Sequence, residues 1–310
     1  MAPGDAASSI GRQMLGKEER VPRGALPLHR LTRADFGPPA PAGIRLVWLG
    51  HSTCLLDLDG ARILMDPVMK KRASPSELVG PARFHPPPLP LDEMPELDVV
   101  LISHDHYDHL DKPAVIELAR RGNRFVTSLG VGAHLEGWGV DPERITELDW
   151  QESATVGRVR ITAKPARHFS GRTPFDRNKT LWSSWTLEGP EHRVFFIGDS
   201  GFFEGMADVG RDHGPFDLTL IKIGAYAETW PDIHLTPEDA VRIHRMVQGA
   251  RMVPIHWGTF NLAFHAWNEP PERLLAAAAE AGVAVSFPRL GAFFDPAAPG
   301  PLDPWWREVR

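Results

Sequence analysis

Residues 103–111, SHDHYDHLD, place three histidines and three aspartates in nine positions, directly behind the apolar run Leu97, Val99, Val100, Leu101 and Ile102. Neutral imidazole and carboxylate are favoured ligands of zinc-like ions. His104 and His106, two apart, point to one side of an extended backbone and can clamp one ion together. Asp108 and His109 then face a neighbouring ion. A solvated polar loop or a helix cap is the plain alternative, and the density of ligand-type side chains favours metal over it. Four ligands cannot complete two sites, so distant strand ends must supply the rest. ITAKPARHFSGR delivers His168, VFFIGDSGFF delivers Asp199 and MVPIHWGTF delivers His256, each just past a strand-like run. Each alone reads as a satisfied core residue. Together they complete two sites.

The ordered set HDHYDH, His168, GDSG and PIHWGTF resembles the metallo-β-lactamase superfamily, which implies an α/β fold: a four-layer αββα sandwich with two metals between its sheets. The longer strings VWLGHST, DPVMKKRASPSELVGPARF, RTPFDRNKTLWSSW, GPFDLTLIKIGAY, PEDAVRIH and IHWGTFNLAFHAWNEPP are similar to the N-acylphosphatidylethanolamine-hydrolysing phospholipase D branch, from roughly Ile44 to Leu274. The resemblance implies that His104, His106 and His168 hold one metal. It implies that Asp108, His109 and His256 hold the other, with Asp199 bridging. The expected cofactor is a pair of Zn2+ ions, and a hard carboxylate bridge also admits Mn2+ or Fe2+.

Two divalent ions bring +4, and Asp108, Asp199 and a bridging hydroxide subtract about three, so the centre stays positive and suits an anionic phosphodiester. The metals would lower the pKa of a bridging water to about 7 or below, which removes the need for a side-chain nucleophile. His234, in TWPDIHLTPED, matches a histidine near the catalytic centre in the resembled branch, where it would protonate the leaving alkoxide or bind phosphate; helix capping is the alternative. Arg172, four positions after His168, is expected to grip phosphate oxygens with its planar fork, the alternative being a surface ion pair with Asp176. Trp230 beside His234 is expected to line a groove for lipid chains. His51 is expected either to donate toward a ligand or to be a buried turn histidine. His29, His85, His134, His192, His213, His244 and His265 lack a ligand-like setting and read as structural or surface. The expected activity is phospholipase-D-type hydrolysis releasing N-acylethanolamine and phosphatidic acid from N-acylphosphatidylethanolamine. A lactonase-type attack on a carbonyl and a metal-bound regulatory or stress protein without turnover are the other readings, because one scaffold hosts many chemistries.

Short β-rich runs must position these groups: IRLVWLG, ARILMDP, VVLIS, RFVTS, VRITAKPA, LWSSWTLEG, VFFIGD, LTLIKIG, MVPIH and VAVSFP. Most end in Gly, Pro, Asp or His. Helices are predicted at KPAVIELARR, at TPEDAVRIHRMVQ with Thr236 as cap and Pro237 first in the helix, and at PPERLLAAAAEAG closed by Gly282. Residues 1–43, rich in proline, read as an irregular arm ahead of a hydrolase domain at 44–310.

Of 310 residues, 42% are hydrophobic and 24% charged, as in an ordinary globular chain. A net charge of -6 with scattered Lys and Arg argues against nucleic acid as a partner. The single cysteine, Cys54, cannot form an internal disulfide and reads as a small core residue. No apolar stretch reaches the roughly 18 to 20 residues of a span, and the start lacks a signal-like apolar region, so the chain is expected in the cytoplasm with peripheral membrane contact. For that contact the arm offers Leu15, Val21, Leu26, Leu28, Leu31 and Phe36 among Arg12, Lys17, Arg20, Arg23, Arg30 and Arg33. The phospholipid or other phosphodiester substrate is the expected partner, and the oligomeric state stays open.

Overall fold

The structure, a computed structural model, describes residues 18–227, 230 and 232–309. The first half of the chain builds one sheet from β1 (Ile44–Gly50), β2 (Thr53–Leu58), β3 (Ala61–Met65), β4 (Val99–Ile102), β5 (Phe125–Ser128) and β6 (Ile145–Leu148). Helices α1 (Lys112–Arg120) and α2 (Gly132–Gly137) interrupt it. The second half builds another sheet from β7 (Ser153–Val156), β8 (Val159–Lys164), β9 (Ser184–Glu188), β10 (Arg193–Phe196), β11 (Phe216–Lys222) and β12 (Gly249–Ile255). Its helices are α3 (Met206–His213), α4 (Pro237–Met246) and α5 (Glu269–Ala281). A last two-residue strand, β13 (Phe293–Phe294), returns to the first sheet, whose order is β13-β1-β2-β3-β4-β5-β6; the second runs β12-β11-β10-β9-β8-β7.

Side-chain alternation explains the layers. On β1 and β4, Val47, Leu49, Val100 and Ile102 share a cluster with Val115 and Leu118 of α1 and Leu135 of α2. The intervening Leu46, Trp48, Val99 and Leu101 join Ile161, Trp185, Leu187 and Val194 of the second sheet, in a cluster that continues to Val209, Ile243 and Leu274 of α3, α4 and α5. Strands buried on both faces read as continuous apolar runs, as these do. The mixed α/β chain is thus a four-layer αββα sandwich.

Pairing is parallel along β3-β4-β5-β6 and β10-β11-β12, so several strands of both sheets end at one rim. Loops beyond the carboxyl ends of such strands are where chemistry is housed. Thr236 Oγ1 accepts the Asp239 amide at the start of α4, and Gly282, at φ 65°, closes α5.

Three features differ from the expectations. VAVSFP makes only an isolated bridge, Met252 to Val285, because it meets the outer edge of β12 too briefly to form a ladder. The helices α2 and α3 are six and eight residues long, too short to declare themselves by periodicity. The arm runs along the domain from Leu26 to Leu31: the His29 amide donates to the Leu290 carbonyl, the Leu31 amide to Pro88, and Leu26 and Leu31 are buried. Leu26 and Leu31 therefore face the protein, while Arg12, Leu15 and Lys17 lie outside the described residues.

Candidate metal centre

The rim gathers the side chains nominated by the sequence. His104 and His106 follow β4, His168 follows β8, Asp199 follows β10 and His256 follows β12. The nearest nitrogens of His104, His106 and His168 form one cluster; Asp108, His109, His256 and also His51 form a second; His104 and His109 each meet Asp199. All seven expected ligands are thus brought together across the seam between the sheets.

Three site residues, His51, Asp66 and His256, carry left-handed φ values of 54°, 40° and 62° directly after β1, β3 and β12. Such backbone costs on the order of 1 kcal/mol or more for a non-glycine residue and persists where surroundings enforce it. Here it turns each side chain off its strand into the rim. The approach of β11 to His256 needs glycine: a Cβ on Gly224 would lie 2.2 Å from the His256 carbonyl oxygen.

Hydrogen bonds fix the tautomers. His168 Nδ1–H donates to the Ile233 carbonyl at 2.9 Å, so its Nε2 carries a lone pair. Ser103 Oγ gives its one proton to Asp66 Oδ2 at 2.6 Å and must accept from His104 Nδ1 at 2.9 Å, which leaves a lone pair on His104 Nε2. His109 Nδ1 donates to Asp66 Oδ2 at 2.7 Å, so its Nε2 likewise faces inward as an acceptor, 3.4 Å from Asp199 Oδ2 and 3.6 Å from Asp108 Oδ2. His104 Nε2 and His168 Nε2 approach His106 Nδ1 at 3.0 and 3.2 Å. Converging acceptors repel unless a cation lies among them. His109 Nε2, Asp199 Oδ1 and both His256 nitrogens are buried without a hydrogen-bond partner. This donor set fits divalent metal.

Electrostatics agree. Burial pushes His104 and His168 well below the ordinary imidazole range, which keeps them neutral as ligands require. Burial would raise Asp108 and Asp199, but the surrounding histidines and, for Asp199, Lys222 hold both carboxyls well below their usual range. His109 responds oppositely: burial opposes its charge, yet Asp199 and Asp108 hold it well above the usual value, the behaviour of a pocket whose negative charge draws in a cation. His51 falls to about 3 through burial and its neighbour His256, and its Nε2 lies 2.9 Å from Asp108 Oδ2.

The other two aspartates of SHDHYDHLD brace the loop. Asp105 accepts the Gly171 amide at 2.7 Å and meets His134 Nε2 at 3.2 Å; Asp111 accepts the Met69 and Lys70 amides at 2.9 and 3.0 Å. Arg172 differs from its expectation. Its guanidinium turns inward, donating to the Asp105 and Leu110 carbonyls at 2.6 and 2.9 Å and stacking 4.0 Å from the Tyr107 ring. The carbonyls that bracket the histidine loop outcompete solvent for its N–H groups. Asp176 accepts only the Arg172 backbone amide among their described contacts.

His234 Nδ1 sits 3.7 Å from Asp199 Oδ2, and Trp230 lies between His234 and Phe264, with ring centroids at 6.3 and 5.6 Å. Sequence reasoning passed over two residues. Asp66, in ILMDP, reads as a turn aspartate but orients Ser103 and His109. Lys222, in LIKIG, is fully buried, 3.6 Å from Asp199 Oδ1 and in contact with His234 Nδ1. A charge inside an apolar strand was the available signal for it.

Comparison with known proteins converges on the same chemistry. Residues 61–257 match the family described as beta-lactamase superfamily domain. An uncharacterized protein of Mycobacterium tuberculosis is 54% identical over 264 residues, covering 84% of this chain and 71% of that protein. N-acyl-phosphatidylethanolamine-hydrolyzing phospholipase D 1 of Caenorhabditis elegans is 36% identical over 273 residues, 84% of this chain and 76% of that protein. Igni18, a metallo hydrolase from Ignicoccus hospitalis, superposes with a TM-score of 0.63 at 22% identity, covering 82% of this chain and 99% of its own. With a two-sheet fold, a cation-seeking cluster of His and Asp and these relatives, the chain belongs to the beta-lactamase superfamily of metal-dependent hydrolases, among relatives of N-acyl-phosphatidylethanolamine-hydrolysing phospholipase D.

Proposed function

We propose that this chain is a two-metal phosphodiesterase of the phospholipase D type, cleaving N-acylphosphatidylethanolamine to N-acylethanolamine and phosphatidic acid. The observation that carries the reading is one carboxylate, Asp199, shared by two groups of histidine donors. One group is His104, His106 and His168; the other is His109 and His256 with Asp108. When bound, a metal pair supplies Lewis acidity toward the phosphoryl oxygens and a nucleophile from water near neutral pH. Asp108 and Asp199 leave the loaded centre positive, which favours an anionic phosphodiester over a neutral lactone.

The chain's own groups do the rest. His234, whose side chain is 15% exposed, reaches both Asp199 and solvent and is placed to deliver a proton to the leaving alkoxide. Trp230 and Phe264 offer an apolar wall for an acyl chain. Arg172 acts through the loop it braces.

A lipid surface has a natural place to meet this rim. Leu78, Val79 and Phe175 are 86%, 65% and 85% exposed, on two loops that converge on Tyr107: Lys70 Nζ lies 5.0 Å from its ring, and its hydroxyl donates to the Arg172 carbonyl at 3.0 Å. The first loop, residues 69–84, carries Lys70, Lys71 and Arg72 against Glu77; the second, 171–180, carries Arg177 and Lys179 against Asp176. In a chain of net charge -6, these basic loops with apolar tips suit an anionic bilayer. Among the described residues no helix is long and apolar enough to cross a membrane.

The test is metal-loaded protein offered N-acylphosphatidylethanolamine, phosphatidylethanolamine, a soluble phosphodiester and a lactone panel, with products identified by mass. N-acylethanolamine and phosphatidic acid are expected. Lactone opening without phosphodiester cleavage would replace this reading with the carbonyl one, and no turnover of any substrate would favour a metal-bound regulatory protein.

A further inference from the structure

Lys222 ends β11, where strand alternation places it with Leu218 and Leu220, and it is fully buried. An apolar residue would suit that column, since taking an ammonium out of water costs several kcal/mol unless a partner repays it. Two partners lie within reach: Asp199 Oδ1 at 3.6 Å and His234 Nδ1.

The two oxygens of Asp199 have different surroundings. Oδ2 faces one histidine from each group, His168 Nε2 at 3.7 Å and His109 Nε2 at 3.4 Å. Oδ1 faces His256 Nε2 at 3.2 Å and Lys222 Nζ at 3.6 Å, while the closest approach of His168 to the carboxylate is at Oδ2. A carboxylate shared by two ions can span them with a single oxygen or place one oxygen on each. The Oδ2 surroundings, with one histidine of each group, suit the first arrangement.

We propose that Lys222 is a positioning residue for the bridging carboxylate: its Nζ contacts His234 Nδ1 and stands 3.6 Å from Asp199 Oδ1 as its ion-pair partner, which sets the carboxylate rotation that turns Oδ2 toward the histidines of both groups and ties His234 to the same anchor. The inference rests on Asp199 being the bridge and is independent of the substrate.

The experiment uses the full chain loaded with Mn2+, whose magnetic coupling reports how a carboxylate joins two ions. The variants are Lys222→Met, which keeps length and removes the donors, and Lys222→Gln, which keeps neutral N–H donors. Circular dichroism and melting of metal-free samples establish folding. Lys222→Met is expected to change the coupled electron paramagnetic resonance signal and to release metal at chelator concentrations at least tenfold lower than the wild type does, with Lys222→Gln moving both back toward wild type. A folded Lys222→Met with the wild-type signal and retention overturns the proposal. If Lys222→Met does not fold, Lys222→Gln decides: a wild-type-like signal supports the role, and an uncoupled signal overturns it. A wild-type chain that binds fewer than two Mn2+ ions overturns the bridge assignment, and the role of Lys222 with it.

Discussion

Replacing Asp66 with Asn changes no shape and one charge, and it tests how far the metal centre depends on a residue that touches no metal. Asp66 is fully buried and accepts three hydrogen bonds: the Ser103 amide on Oδ1 at 2.7 Å, and Ser103 Oγ and His109 Nδ1 on Oδ2 at 2.6 and 2.7 Å. In Asp66→Asn the amide oxygen can keep the Ser103 amide, but the NH2 group then stands where Oδ2 stood. Donor meets donor at His109, so the imidazole must move its proton to Nε2, the atom aimed at the metals. Loss of such an orienting partner typically lowers metal affinity 10- to 100-fold, about 1.4 to 2.7 kcal/mol. The ion held by Asp108, His109 and His256 is expected to go first, because Asp66 bonds His109 directly and reaches His104 only through Ser103. A melting-point loss corresponding to about 2 kcal/mol should accompany it, from exchanging charge-assisted bonds for neutral ones. Metal stoichiometry during titration with a calibrated chelator measures this. If Asp66→Asn keeps two ions with wild-type affinity, the tautomer argument for the site is wrong.

Asp199→Ala should lose both ions at once, because one carboxylate serves both; metal analysis that finds one ion retained per chain would contradict a shared bridge. Arg172→Ala should lower stability by about 3 kcal/mol, from two lost charge-assisted bonds to carbonyls of the histidine loop, and metal content should fall along with activity. Lost turnover with intact melting point and metal content would instead restore Arg172 as a phosphate grip. Changing Leu78, Val79 and Phe175 together to Ser should reduce co-sedimentation with anionic vesicles tenfold or more, since each apolar side chain withdrawn from lipid gives up on the order of 1 kcal/mol. Hydrolysis of a short soluble phosphodiester should be unchanged in that variant, and undiminished vesicle binding would place the docking surface elsewhere.

The nominated ligands were legible because His and Asp at strand ends are specific in type, and only their convergence needed a fold. Chain pattern also disclosed the long two-face-buried strands and the capped helices α4 and α5. The weakly patterned pieces, β6, β7, α2 and α3, were missed because four to eight residues hold too few periods to distinguish elements. Asp66 and Lys222 were missed for another reason. Their roles lie in what they touch across the chain, Ser103 and His109 for one, Asp199 and His234 for the other, and no local spacing encodes that. Arg172 shows the same limit: sequence gave its position beside the site but not the direction of its guanidinium, which two backbone carbonyls decide.

The division of the site between two sheets also governs when it can come into being. A growing chain releases His104, His106, Asp108 and His109 with the first sheet, while His256 emerges roughly 7 to 30 s later at ordinary synthesis rates. His168 and then Asp199 emerge in the interval, and until His256 follows, Asp108 and His109 lack the third member of their group. The edge of β1 waits longer still, for Phe293 and Phe294 to pair with Val47 and Leu46. A nascent chain therefore passes through an interval with an incomplete, cation-attracting half-site and an open strand edge. Only when the second sheet is complete do all seven side chains stand together at the rim.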